Sequence, residues 1–349
     1  MCSNLNKSVL TKTKINIMFI IENYKLAVFL CLITMLCWGS WANTQKLASK
    51  KWGFPLFYWD FTLGVILLSL LFGLTFGSTG ESGRAFLPNL GDASLNAIFY
   101  ALLGGAIFNI ANLLLVAAID IAGMAIAFPI GIGIALVLGV FVNYIATPVG
   151  DPVLLFTGVG LVALAIIADA LAYKKISKGA ATTKGIIISL AAGVLMGFFY
   201  RFVAASISED FSNPTLGRLT PYTAVFVFSL GIFFSNFVFN TFFMYWPING
   251  KKVTYIDYFK LGTPKLHIIG ILGGVIWCIG MLLNMIAAGE AGFAISYGLG
   301  QGATMVAAIW GIFIWKEFKN APKGTNSLIG LMFFLFISGL SLIIMAKNV

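Results

Sequence analysis

Ten apolar runs, each about the length of a membrane crossing, leave this chain almost no polypeptide with which to build anything outside a bilayer. They fall near residues 26–46, 56–77, 95–119, 121–146, 152–173, 185–206, 219–244, 266–288, 292–315 and 327–346. Crossing about 30 Å of hydrocarbon takes about 20 helical residues. Backbone amides inside lipid must be satisfied within the structure itself, and the alternating ~10-residue strands of a membrane barrel are absent. The fold class that follows is an all-α integral membrane protein of ten transmembrane helices. Only 10% of the 349 residues are charged and the mean hydropathy is +0.97, whereas soluble domains carry about 25% charged residues.

The apolar runs are not independent of one another. Residues 103–137 and 272–306 align without a gap at an offset of 169: Leu103, Gly104, Gly105, Ile107, Ile110, Gly123, Gly131 and Gly133 recur as Leu272, Gly273, Gly274, Ile276, Ile279, Gly292, Gly300 and Gly302. Weaker echoes pair Pro55 and Gly64 with Pro221 and Gly231. Five helices precede the lysine-bearing stretch 174–184 and five follow it, so the second half enters the membrane from the opposite side. The expectation is a 5+5 inverted repeat, the architecture of many secondary transporters. Its parts are an N-terminal tail at 1–23, a first repeat at 24–173, a linker at 174–184 on the cytoplasmic side and a second repeat at 185–346. Residues 1–17 resemble neither a helix nor a cleavable signal, and Met18 opens the natural run MFIIENYKLAVFL, so a shorter chain would start there.

Orientation is read from lysine. One side of the membrane receives fourteen Lys or Arg residues, among them Lys46, Lys174, Lys251 and Lys316, and the other receives seven. The richer side is expected to be cytoplasmic, which puts both termini outside a plasma membrane or bacterial inner membrane. The net charge of +10 is thereby a matter of topology, and no nucleic-acid partner is expected. The expected partners are the lipid bilayer, a small polar solute and, for any self-association, a second copy in a homodimer.

Ionisable groups inside hydrocarbon need a reason. Asp60, in FYWDFT, is the candidate proton-coupling residue, since a carboxyl among aromatic rings can exchange a proton near neutral pH; the bland alternative is a hydrogen bond at the cytoplasmic boundary. Asp169 is expected to pair with Lys174 or Lys175, and Arg201 to snorkel outward or meet Glu209. The neutral polar residues suggest a binding cavity. Asn109 and Asn112 share a face of the third helix, and Tyr297, Gln301 and Thr304 follow i, i+4, i+7 on the ninth, while Trp38, Trp41 and Gln45 stripe the first. Tyr297 and Gln301 stand where the other repeat has Phe128 and Ile132, so one copy presents the hydrogen-bonding groups. The substrate-binding set is therefore Trp41, Asn109, Asn112, Tyr297, Gln301 and Thr304. No metal or cofactor is expected; the coupling ion is a proton.

With CWGSWANTQ around Gly39 and Trp41, YWDFTLG around Asp60, Gly104-Gly105 followed by Asn112, Gly123, Asn143-Tyr144, and IWGIFIWKEF with Trp310, Gly311 and Glu317, the chain resembles the drug/metabolite transporter superfamily. Within it, the resemblance is to glucose/ribose porters, rhamnose-proton symporters and, above all, ureide permeases. The resemblance implies ten helices with outward termini, a central cavity lined by the first four helices of each half, and proton-coupled uptake of small polar solutes. Plant ureide permeases carry a large central cytoplasmic loop where this chain has a short linker, a brevity that suits a bacterial sugar porter. The expected function is thus import of a sugar or ureide-like metabolite by alternating access. An efflux carrier of the same superfamily is the alternative, and it would favour aromatics and methionines over fixed amides. An enzyme is not expected, since no nucleophile–base pair or facing intramembrane carboxylates are present. A channel would need rings of charge or carbonyls that are missing.

Overall fold

In the computed structural model, the described residues are 17–48, 52–176, 182–248 and 251–347. The tail over residues 1–16 and the middle of the expected linker, 177–181, lie outside them. Among the described residues, ten helices are long and apolar enough to cross a membrane: α1 (Tyr24–Ala48), α2 (Phe54–Ser78), α3 (Leu95–Ala122), α4 (Met124–Ala146), α5 (Pro152–Ile176), α6 (Thr183–Ser206), α7 (Pro221–Tyr245), α8 (Pro264–Ala291), α9 (Phe293–Ile314) and α10 (Thr325–Met345). The all-α membrane fold read from hydropathy is the fold observed. Helix starts follow the local chemistry: the side chains of Asn23, Ser94, Thr182 and Thr263 accept from first-turn amides of α1, α3, α6 and α8.

One boundary differs from the hydropathy reading. Helix α3 runs through Asp120 and ends only at Gly123, whose φ of 76° stops the helix; its counterpart Gly292, with φ 82°, separates α8 from α9. A left-handed backbone of this kind favours glycine, so these two glycines, rather than the charge of Asp120, set the breaks.

The interior follows membrane logic, with small residues where helices cross and Leu facing outward. Leu63, Leu67, Leu71 and Leu74 form an exposed stripe on α2, while Asp60, Gly64 and Leu68 are buried. A Cβ on Gly64 would meet the Ile271 carbonyl of α8, and one on Gly274 would meet the Phe61 carbonyl of α2. In the other half, a Cβ on Gly105 would meet the Phe228 carbonyl of α7, and one on Gly231 the Leu102 carbonyl of α3. Backbones approach this closely only where side chains are missing. Helix α8 packs on α1 and α2, and α3 on α6 and α7; α1 packs on α9 and α4 on α6; α2 meets α7, and α5 meets α10.

Two helices are interrupted halfway. In α1 a turn at Trp41 divides Tyr24–Ser40 from Ala42–Ala48. In α9 the segments Phe293–Gly300 and Ala303–Ile309 are divided at Gln301 and Gly302, and the last turn, Trp310–Ile314, is a π-helix. Both interruptions face the same space.

Candidate substrate cavity

The interruptions in α1 and α9 are built alike. Thr44 donates its hydroxyl to the Trp41 carbonyl at 2.6 Å, and Thr304 donates to the Gln301 carbonyl at 2.9 Å. In each case the carbonyl at the break, already reached by the backbone amide three residues on, also accepts that residue's threonine hydroxyl. Irregular backbone at membrane depth is tolerated where it lines a cavity, and here it does.

A deep chamber of about 190 Å³ is walled by α1, α3, α4, α6, α8 and α9, and includes Trp38, Trp41, Asn112, Ile132, Trp277 and Gln301. It continues into a mouth of about 380 Å³ through the shared residues Gly39, Ala42, Gln45, Val116, Ile119, Thr304 and Ala307. The mouth reaches Lys46, Trp315 and Glu317, so it opens at the lysine-bearing end of the bundle. Toward the other end the path is packed shut. Tyr200 donates to Asn284 Oδ1 at 2.6 Å, Asn284 Nδ2 donates to the Ser296 carbonyl at 2.8 Å, and Tyr200 and Tyr297 rings lie 4.8 Å apart, both fully buried.

The chamber walls are aromatic faces. Trp38 and Trp277 stack at 6.1 Å with 15° between planes, held by an indole hydrogen bond from Trp38 Nε1 to the Trp277 carbonyl; Phe108 lies 4.5 Å from Trp277. Fixed polar groups are few. The Asn112 side chain, 4% exposed, turns its amide toward the buried Tyr58 hydroxyl of α2, whereas the Gln301 amide, 9% exposed, makes no side-chain hydrogen bond among the described residues. An orphaned amide at such depth carries a desolvation penalty unless something in the cavity bonds to it. The arrangement suits a small, flat, hydrogen-bonding solute.

Of the substrate-binding set read from sequence, Trp41, Asn112, Gln301 and Thr304 come together in this wall. The other two do not reach it. Asn109 Nδ2 donates to Ser235 Oγ at 2.8 Å and to the Ile232 carbonyl at 3.3 Å, bracing α3 against α7. The Tyr297 hydroxyl donates to the Ala135 and Met196 carbonyls at 3.1 and 3.3 Å, tying α9 to α4 and α6.

Asp60 lies away from the cavity, 1% exposed, at the lysine-bearing end of α2. It receives Tyr258 OH at 2.5 Å and Trp52 Nε1 at 3.2 Å, and His267 Nδ1 sits 2.9 Å from Oδ1. Burial and the Asp60 carboxyl push the Tyr258 hydroxyl well above the usual tyrosine range, which keeps it a donor. These contacts join α2, the short helix Tyr255–Leu261 and α8. Asp169, by contrast, is in the cavity mouth and makes no ion pair with Lys174 or Lys175; those lysines are five and six residues on, around the helix from its face. Arg201 lines a separate hollow of about 450 Å³ at the opposite end, with Glu209 and Arg218.

A family model described as ureide permease matches residues 57–180 and 172–347. The chain belongs to the ureide permease family. It is 22% identical to "Ureide permease 1" of Arabidopsis thaliana over 390 residues, covering 95% of this chain and 99% of that protein. "Ureide permease 2" of the same plant is 21% identical with the same coverage, and "Probable ureide permease A3" of Vigna unguiculata is 20% identical over 82% of this chain and 94% of that one. A solved crystal structure superposes with a TM-score of 0.58 at 14% identity, over 94% of this chain and 100% of its own, which bears on the fold alone. Membership makes the chain a multi-pass membrane permease rather than an enzyme.

Phe108 and Trp277 were open to sequence reading, being repeat counterparts at the offset of 169 and aromatic in both copies. Tyr173 and Phe199 had no such signal; only the packing of α5 and α6 brings them to the cavity.

Proposed function

We propose that this permease imports a small, uncharged, planar metabolite of the ureide class across a plasma or inner membrane, by alternating access coupled to protons. The observation that carries the proposal is the deep chamber, in which flat aromatic walls, the free amide of Gln301 and the neighbouring Asn112 match a ring that displays carbonyl and N–H groups side by side. The relatives' names point to the same solute class. Import of a polar solute is favoured over efflux of lipophilic compounds because the chamber wall holds two amide side chains, Asn112 and Gln301, and only one methionine, Met196. A sugar is the second reading, since an aromatic face also suits a sugar ring.

Alternating access is supported by the matched crossings Gly64–Gly274 and Gly231–Gly105, and by an opening at one end of the bundle only. Two five-helix halves rocking about these crossings would carry the chamber from one end to the other. With lysine marking the cytoplasm, the structure is inward-facing. Cells expressing the chain should accumulate radiolabelled allantoin, a cyclic ureide, with loss of accumulation on adding a protonophore. Accumulation of glucose or rhamnose without allantoin would move the assignment to the sugar reading, and protonophore-insensitive accumulation would remove proton coupling.

A further inference from the structure

We infer that Asp169, on α5, is the carboxyl that takes up and releases the coupling proton, at the mouth of the cavity. The inference rests on the proton-coupled reading above and assigns its site.

A proton carrier needs contact with water in one state, a free oxygen to hold the proton, and surroundings that respond when the cavity closes. Asp169 meets all three. Its side chain lines the cavity mouth, it is 9% exposed, and its Oδ1 has no hydrogen-bond partner. Burying a charged oxygen without a donor is costly, and adding a proton removes that cost. The charged group that acts on it is another anion, Glu317, which follows α9. One helical turn along from Asp169, Tyr173 donates its hydroxyl to Glu317 Oε2 at 2.8 Å, while Glu317 Oε1 pairs with Lys46 at 2.6 Å. Lys46 and Asp120 face the same mouth from α1 and α3. Helix α10, packed along α5, carries no ionisable side chain between Thr325 and Met345, and α4 brings only Tyr144 near its other end.

The geometry links protonation to movement. Glu317 is held by α5 through Tyr173 and by α1 through Lys46, so α5, α1 and the segment after α9 share one anion at the mouth. With Asp169 deprotonated, three carboxylates, Asp120, Asp169 and Glu317, line the mouth with a single lysine, Lys46, among them, and water in the open cavity solvates the excess charge. Closing the mouth withdraws that water. A proton passing from cavity water to Asp169 forms one O–H bond, breaks one in hydronium, and leaves a neutral acid that can be closed over. Asp60 differs on each count: three side chains hold it away from the cavity, and both of its oxygens have partners.

The test uses the purified full-length protein in lipid. On stepping from alkaline to acidic pH, infrared difference spectra should contain a carboxylic C=O band that is lost in Asp169→Asn, retained in Asp60→Asn, and displaced in Asp169→Glu. Retention of that band in folded Asp169→Asn would overturn the inference, as would its loss in Asp60→Asn alone. This readout needs no substrate, so it stands apart from a failure of the ureide reading. In proteoliposomes, an inward gradient of about one pH unit sustains about ten-fold allantoin accumulation for one proton per solute. Asp169→Asn should bring this to equilibration with exchange retained, and Asp169→Glu should restore part of it. Undiminished accumulation in Asp169→Asn would equally overturn the assignment.

Discussion

At the scale of single residues, solute recognition depends on which polar groups are free and which are already used. Asn109 and Tyr297 are used, bracing helices through carbonyls and a serine, whereas Gln301 sits unpaired in the chamber wall. Gln301→Leu should therefore weaken ureide binding by about 1–3 kcal/mol, which is roughly five-fold to more than a hundred-fold in Kd. Ile132→Leu, which alters shape in the same wall, should have a much smaller effect. Equilibrium binding to matched preparations measures both, and equal losses would mean that the amide serves packing. Helical spacing placed Asn109, Asn112, Tyr297 and Gln301 on the right helices. It could not tell the free amide from the used one, because that depends on the facing helix: α7 supplies Ser235 to Asn109 and α2 brings the Tyr58 hydroxyl to Asn112, while no described residue bonds to the Gln301 amide. The same limit applied to Asp169, whose neighbours in sequence are lysines and whose neighbours in space are Tyr173 and Glu317.

At the scale of helices, glycine sets how closely the bundle can close. Gly64 and Gly274 let α2 and α8 touch backbone to backbone, and Gly105 and Gly231 do so for α3 and α7. Adding side-chain volume at such a crossing costs about 1–3 kcal/mol where backbone must shift. Gly105→Val should accordingly lower the thermal unfolding midpoint and the folded yield on size exclusion, while Gly133→Ala, whose Cβ meets nothing within 4 Å, should leave both near wild type. Similar losses from the two changes would show that the crossings are not the constraint. The existence and order of the ten helices were legible because lipid imposes length and apolarity at once. The end of α3 was less so, since hydropathy registers the charge of Asp120 and not the backbone angle of Gly123. The breaks in α1 and α9 carried no sequence signal beyond Gly302 and the threonines three residues after Trp41 and Gln301.

At the scale of the whole molecule, the chain is a permease with a chamber open at its lysine-bearing end. Positive-inside reasoning predicts that end to be cytoplasmic. In intact cells, Glu81→Cys on the opposite end should react with an impermeant maleimide, and Lys260→Cys should react only after the membrane is opened; the reverse pattern would turn the molecule over and make the open cavity outward-facing. The repeat and the hydropathy runs together carried the fold and the transporter class, while the solute class is carried by the chamber. The most direct test of the central claim is therefore saturable binding of radiolabelled allantoin to the purified protein, compared with Gln301→Leu and with competing glucose. The account predicts one saturable site, weakened at least five-fold by Gln301→Leu and not displaced by glucose. Absence of saturable allantoin binding by well-folded protein, or its displacement by glucose as readily as by unlabelled allantoin, would contradict it.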